Sequence, residues 1–260
     1  MLIHTYFTDG FYEFGKIFIN SFKKFHGEEM PLIATTRNLT EQQIKELQAM
    51  YDNIQVLNQK INIKMVMKKT GLSREILEKY KHQIEYDHIR GKNVVWKQYI
   101  SVEDRYRNSI VEAIQHNPGE NFMMHIDADS YIRKPLTPIF DLIKENDVTL
   151  IFRLDRPKMN RKIFGSLSGY RLNKKTNKFL RAWRKHIDAI PLKKKPVGYG
   201  QTSCYYAYRD LKDSNIKWGI IPKSWVKSDL NKNSLIWSGN HSRGKTRTVN
   251  IFKREMAGGK

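Results

Sequence analysis

The first 57 residues alternate short apolar runs with helical spacings, and that alternation narrows the accessible folds more than any other feature of the chain. Leu2–Phe7 reads as a strand and Asp9-Gly10 as the turn into a helix. Phe11, Phe14, Phe18, Phe22 and Phe25 then recur at steps of three and four, a helical face that packs on a sheet. Pro31–Thr35 is a second short strand, Thr40-Glu-Gln-Gln43 a capping box opening a helix to about Tyr51, and Ile54–Leu57 a third strand. Parallel neighbours need crossover helices, so this β-α-β-α-β start predicts an α/β protein with a mostly parallel central sheet flanked by helices.

Downstream, Ser73 caps a helix carrying Ile76, Leu77, Tyr80 and Ile84, and a second helix runs from about Val94 to Gln115. Asn117-Pro-Gly119 breaks it. Pro135 and Pro138 introduce a short helix, Val148–Leu154 is a strand, and Ile163–Leu172 is another, with Gly165 and Gly169 permitting close backbone approach. Asn173 and Thr176 lead into a helix to about Ile190. Beyond it come a Lys-Lys-Lys run, a glycine-containing bend at 198–200 and short segments ending in a basic tail. With no repeat and no low-complexity linker, residues 1–260 read as one domain with a basic C-terminal segment.

Between these elements lies Asn-Phe-Met-Met-His-Ile-Asp-Ala-Asp-Ser-Tyr-Ile, residues 121–132, where an apolar run stops at Asp127 and Asp129. In a strand, the i, i+2 spacing points both carboxylates to one side. Two such charges close together in low dielectric repel, and a hard divalent cation with oxygen ligands removes that cost while also bridging phosphates. The carboxyl ends of strands are where open α/β sheets bind ligands. By the same rule the end of the first strand, Thr5 to Thr8, is placed to meet a nucleobase; Thr8 and Asp9 read equally as caps of the Phe-rich helix. Far along the chain, Asn240-His-Ser-Arg-Gly-Lys-Thr-Arg247 sets a potential metal ligand, His241, beside glycine and three cations suited to neutralising phosphate.

Taken together, these motifs resemble those of the GT-A fold glycosyltransferases, which move a sugar from a nucleoside-diphosphate donor. The resemblance implies that Asp127, Asp129 and His241 hold Mn2+ or Mg2+ and that Gly244 and Lys245 meet the diphosphate of a nucleotide sugar such as a UDP-sugar. It also implies that Ile163–Tyr170 is an acceptor-side strand, and that Gly198-Tyr-Gly-Gln201 matches a donor-sugar segment in which Gln201 keeps its role while Gly200 replaces the usual acid. Lys97, Arg105 and Arg107 are further candidates for the diphosphate, and Asp155 or Asp210 for a base that takes the proton of an acceptor hydroxyl. His125 reads as a satisfied strand histidine, and His4 belongs to no constellation.

Charge bears on the acceptor. Forty-seven Lys and Arg against 26 Asp and Glu leave +21, a field that draws in polyanions. Residues 171–195 hold ten Lys or Arg and one acid, Asp188. Lys174, Lys178, Arg181 and Lys185 share one helical face beside an apolar stripe of Phe179, Trp183, Ile187 and Ile190. Such a face reads either as a solvated basic helix or as a surface that tracks a nucleic-acid backbone, and Lys193–Lys195, Arg243, Arg247, Lys253 and Arg254 would add to its field. In this character the chain resembles the phage and kinetoplastid transferases that glucosylate a hydroxymethylated base in DNA, with Tyr170, Tyr199, Tyr205 or Tyr206 available to stack on a flipped base. The alternatives are a cell-surface glycan, lipid-linked sugar or protein acceptor, a non-catalytic nucleic-acid-binding protein, and a two-metal nuclease. The single cysteine, Cys204, and the absence of a signal peptide or a run of ~20 apolar residues predict a cytoplasmic setting, the host's if the source is viral.

Overall fold

The computed structural model describes residues 1–59, 67, 73–75, 109–159, 162–189, 199–227, 233–238 and 245–258. The chain begins with β1 (Leu2–Thr8), a 3-10 turn (Asp9–Phe11) and α1 (Tyr12–His26), followed by β2 (Leu32–Arg37), α2 (Glu41–Met50) and β3 (Ile54–Gln59). After α3 (Ile110–His116) come β4 (Phe122–Ile126), β5 (Ser130–Ile132), α4 (Thr137–Glu145), β6 (Val148–Phe152) and β7 (Ile163–Arg171). Then follow α5 (Lys174–Ala189), α6 (Tyr199–Leu211), β8 (Trp218–Ile220), β9 (Val226–Lys227), β10 (Ile236–Ser238) and α7 (Lys245–Met256).

Seven strands form the main sheet in the order β3-β2-β1-β4-β7-β6-β8, and β5, β10 and β9 form a small second sheet. Every neighbour in the main sheet is parallel except β7, which runs antiparallel to both β4 and β6. The carboxyl ends of β1, β2, β4 and β6 therefore open on one edge. Both faces are covered, which is why β1 and β2 are buried along their whole lengths. On one face Phe18, Ile19 and Phe22 of α1 and Ile139, Phe140 and Ile143 of α4 pack on Ile3, Phe7, Met124 and Ile126. On the other, Ile110 of α3, Phe179, Trp183 and Ile187 of α5 and Cys204 and Ala207 of α6 pack on Leu2, Met123, Val148 and Tyr170. Burial pushes the Cys204 thiol well above its usual range, the state of a small apolar filler.

Local signals act as their chemistry dictates. Thr40 Oγ1 accepts from the Gln43 amide and Gln43 Oε1 accepts from the Thr40 amide, a complete capping box on α2. The Asn173 side-chain oxygen accepts from the amides of Lys175 and Thr176 at the start of α5. Thr8 makes no side-chain cap bond; the chain enters α1 through the 3-10 turn instead.

Two expectations change. The aspartates are not inside a strand: β4 stops at Ile126, and Asp127–Asp129 form a tight turn before β5. The glycine-containing bend does not continue through 198–200, because Tyr199 and Gly200 already belong to α6. In α6 the β-favouring Thr202, Tyr205, Tyr206 and Tyr208 hide a helix that packing on α5 supports; the Trp183 indole donates to the Gly200 carbonyl at 3.0 Å. The expected helix at 94–115 is present over its last residues, from Ile110; its earlier part, and Ile76, Leu77, Tyr80 and Ile84, lie outside the described residues.

Gly169 shows why β7 carries glycine. A Cβ there would lie 2.5 Å from Ile143 Cδ1, against a helix that is itself fixed over the sheet. Gly169→Ala is expected to destabilise the fold by about 1–3 kcal/mol through overpacking, read as a lower urea midpoint at unchanged slope. A midpoint equal to that of the parent would mean that Ile143 can move aside.

Candidate active site

The turn after β4, the middle strand of the seven, sits at the carboxyl edge of the sheet. Its backbone is fixed at both ends: the Asp127 amide donates to the Ser166 carbonyl at 2.9 Å, and the Asp127 carbonyl accepts from the Ser130 amide at 3.1 Å. Asp127 is 9% exposed and Ala128 3%, while Asp129 is half-buried. Two carboxylates thus occupy one short turn, the nearer to the core being almost sealed from water. Oxygen donors of this kind suit a hard divalent cation. Among the described residues no group of three His, Cys, Asp or Glu side chains comes together, and the third expected ligand, His241, lies outside them.

The small sheet ties this turn to the end of the chain. β10 pairs antiparallel with β5, so that Ser238 stands opposite Ser130, the residue after Asp129, with their hydroxyls 3.0 Å apart. The chain therefore leaves β10 beside the acidic turn, three residues before His241. On the far side of that segment, α7 begins at Lys245 and is anchored by Phe252, which stacks on Tyr131 and Trp237 and meets Phe14 edge-on. Lys253 pairs with Glu13 of α1 at 2.9 Å.

Behind the turn lies a polar row that the sequence did not reveal. His4 and His125 face each other in register on β1 and β4, with Nδ1 atoms 2.9 Å apart. His4 Nε2 meets Thr35 Oγ1 of β2 at 3.2 Å, and His125 Nε2 lies 3.4 Å from Asp127 Oδ1. His4, Thr35 and His125 are fully buried. Burial, with His125 adding to it, holds His4 well below the ordinary histidine range, so it is neutral. Only the adjacency of β1 and β4 reveals this row, and that adjacency is not written in the order of the chain.

The other expected residues scatter along the same edge or leave it. Thr8 ends β1 and is buried; Thr5 is fully buried within the strand, where alternation turns it to the face covered by α1 and α4. Beside Thr8, in register, Arg37 ends β2 and is only 2% exposed, a fixed cation at the rim that sequence reading passed over. Gln201, in the first turn of α6, lines a small apolar cavity with Phe164, Gly165, Ser168, Trp183 and Cys204. Gly165 adjoins Ser166, whose carbonyl holds Asp127, so Gln201 belongs to the neighbourhood of the turn. Asp155 follows β6 on the same edge, 63% exposed and 3.5 Å from Lys223. Asp210 pairs with His186 at 2.7 Å and is exposed on α6. Lys97, Arg105, Arg107, Gly244, Lys193–Lys195 and Arg243 lie outside the described residues, as do the side chains of Tyr199, Lys245 and Arg247.

No family model matches the sequence, and no curated protein does. Solved structures do. A galactosyltransferase, LgtC, in complex with donor and acceptor sugar analogues, superposes with a TM-score of 0.59 over 99% of this chain and 95% of its own, at 12% identity. The glycosyltransferase GlyE of Streptococcus pneumoniae TIGR4 gives 0.58 at 10% identity, over 98% of this chain and 59% of its own. The chain has the GT-A fold. A further LgtC structure, in which an active-site glutamine is replaced by glutamate, superposes at 0.50 with 12% identity over 99% of this chain and 95% of its own. Within the GT-A frame, β7 is the one antiparallel member of the main sheet, and its register against β6 shifts between Leu150 and Ile151. Among the described residues, no helix is long and apolar enough to cross a membrane.

Proposed function

We propose that residues 1–260 form one metal-dependent glycosyltransferase unit that moves a sugar from a nucleoside-diphosphate donor, a UDP-sugar, to a hydroxymethylated base in DNA. One observation carries the reading: a GT-A sheet with two aspartates in a fixed turn at its carboxyl edge, and a second strand end, that of β10, delivered beside them. A chain advances at most ~3.6 Å per residue, so the three residues after Ser238 keep His241 within reach of that turn.

Asp127, Asp129 and His241 are the residues that would hold Mn2+ or Mg2+. Such an ion supplies Lewis-acid stabilisation of the negative charge on a departing nucleoside diphosphate. The protein's own groups then divide the remaining work. Gly244 and Lys245, where α7 begins, meet the diphosphate, and a helix start adds its own favourable field for an anion. Lys97 contributes a further cation. Thr8 is assigned to the nucleoside edge through its place at the end of β1, whereas Thr5, fully buried within the strand, is out of a nucleoside's reach. Gln201, in the first turn of α6 and lining a cavity with Gly165, is assigned to orienting the donor sugar. The acceptor hydroxyl must lose a proton, and Asp155 is the exposed carboxylate on the right edge to take it.

The acceptor reading rests on α5. Lys174, Lys178, Arg181 and Lys185 are all exposed, and none forms an ion pair among the described residues, whereas Lys175 and Arg184 are held by Asp147 and Asp188. A row of available cations on one helical face fits a backbone of phosphates better than a neutral glycan. A screen of nucleotide sugars with Mn2+ tests the whole proposal, using hydroxymethylated DNA, unmodified DNA and simple glycans as acceptors. Expected is nucleoside-diphosphate release coupled to labelling of hydroxymethylated DNA alone. Transfer to glycans alone would replace the acceptor, and no release from any donor would remove the transferase reading.

A further inference from the structure

We propose, resting on the reading of DNA as the acceptor, that the loop joining β6 to β7 is a wedge that enters the duplex beside the acceptor nucleotide. Leu154 and Met159 fill the space that the extruded base leaves. Strand β7 runs antiparallel to both β4 and β6, so β4 and β6 point the same way and this loop opens on the edge that carries the Asp127–Asp129 turn. Ser166, the fourth residue of β7, holds the Asp127 amide through its carbonyl, which makes loop and turn neighbours.

Residues 154–159 are all exposed. Among the described residues four large apolar side chains are exposed, and two of them, Leu154 at 52% and Met159 at 38%, fall within these six positions. Residues 153–162 carry five Lys or Arg against one acid, Asp155. That acid lies 3.5 Å from Lys223 and 3.9 Å from Arg156. Apolar tips set among cations match a stack of bases flanked by phosphates: the cations meet the backbone, and the apolar side chains enter between base steps. An anionic membrane also draws in cations, but its hold grows with the apolar area inserted. Two side chains parted by Asp155, Arg156, Pro157 and Lys158 offer little such area.

The loop is tied along its length. The Arg153 amide donates to the Lys162 carbonyl at 2.7 Å, the Arg156 amide to the Arg153 carbonyl at 3.0 Å, and the Lys162 amide to the Met159 carbonyl at 3.1 Å. The Lys162 ammonium donates to the Leu154 carbonyl, and the Arg153 guanidinium lies 4.5 Å from the centre of the Phe164 ring. A preformed tip loses little freedom on binding. A base inside a duplex cannot reach a site on a sheet edge, and taking it out costs its pairing and stacking, a cost that is least for an unpaired base. Asp155 adjoins Leu154, so the turn that fills the gap also presents the carboxylate assigned above to the acceptor hydroxyl.

Transfer is measured to a hydroxymethylated base paired in a duplex and to the same base in a single strand. The double variant Leu154→Ala, Met159→Ala is expected to lose about tenfold or more in kcat/KM on the duplex while staying within about twofold of the parent on the single strand. Leu154→Met alone, which keeps an apolar tip, is expected to stay within about threefold on both. The loop is tied through the main-chain carbonyls of Leu154 and Met159, so these variants keep its shape. A 2-aminopurine beside the target base, which brightens when unstacked, is expected to gain about twofold or more in fluorescence with the parent and to stay dim with the double variant. Equal losses on the two acceptors, or none on either, would overturn the wedge and leave the acceptor reading standing. Binding to phosphatidylserine-containing vesicles that the double variant loses, with duplex transfer unchanged, would overturn it in favour of a membrane contact. No transfer by the parent to either form of DNA would overturn acceptor and wedge together.

Discussion

Asp127→Ala is expected to reduce Mn2+-dependent sugar transfer by roughly a thousandfold, with nucleoside-diphosphate release falling in parallel. The size follows from the work assigned to the ion, several kcal/mol of charge stabilisation, at about 1.4 kcal/mol per factor of ten. The substitution should leave the fold intact, because the turn is held by backbone atoms: the residue 127 amide on Ser166 and the Ser130 amide on its carbonyl. Thermal unfolding within a few degrees of the parent, with transfer lost, is the expected pair of results. DNA affinity should be unchanged in the same variant, which separates the enzyme reading from that of a basic binding protein. Parent-like transfer by the alanine variant would remove the metal from the proposal.

The second large effect concerns the acceptor. Replacing Lys178, Arg181 and Lys185 together by alanine is expected to weaken binding to duplex DNA by roughly 10^2- to 10^3-fold at 0.1 M salt. It should also flatten the slope of log affinity against log salt by about 2.7, since each neutralised phosphate contributes about 0.9. The apolar side of α5, with Phe179, Trp183 and Ile187 buried, is untouched, and alanine is a better helix former than the residues it replaces. Sugar transfer to a free hydroxymethylated nucleoside should therefore survive. An unchanged salt slope would mean that α5 faces only solvent and that the acceptor docks elsewhere.

Much of the frame was legible from residue order because local chemistry dominates there. The alternation over residues 2–57 declares strands and crossover helices, the Thr40 capping box declares α2, and Asn117-Pro-Gly119 declares the break before β4. The acidic pair was legible in composition but misread in conformation. The apolar run ends one residue before Asp127, and a turn rather than the pleat sets how the two carboxylates relate. What stayed hidden depends on contacts between distant segments. The reversed direction of β7 is decided by its pairing with β4 and β6, not by its own residues. Helix α6 is made of residues that locally prefer other structures, and packing against α5 overrides them. His4 and Arg37 look ordinary in their strands until the neighbours are known; one then faces His125 and the other closes the rim beside Thr8.

The pairing of Ser130 with Ser238 has an effect on timing. The partner that steadies the residue after Asp129 is synthesised 108 residues later. A nascent chain halted before β10 would already contain all seven strands of the main sheet, yet its acidic loop would lack the strand that borders it. Competence is thus deferred to a late stage of synthesis, and a ribosome-bound fragment ending near residue 230 should fold in large part while remaining catalytically silent.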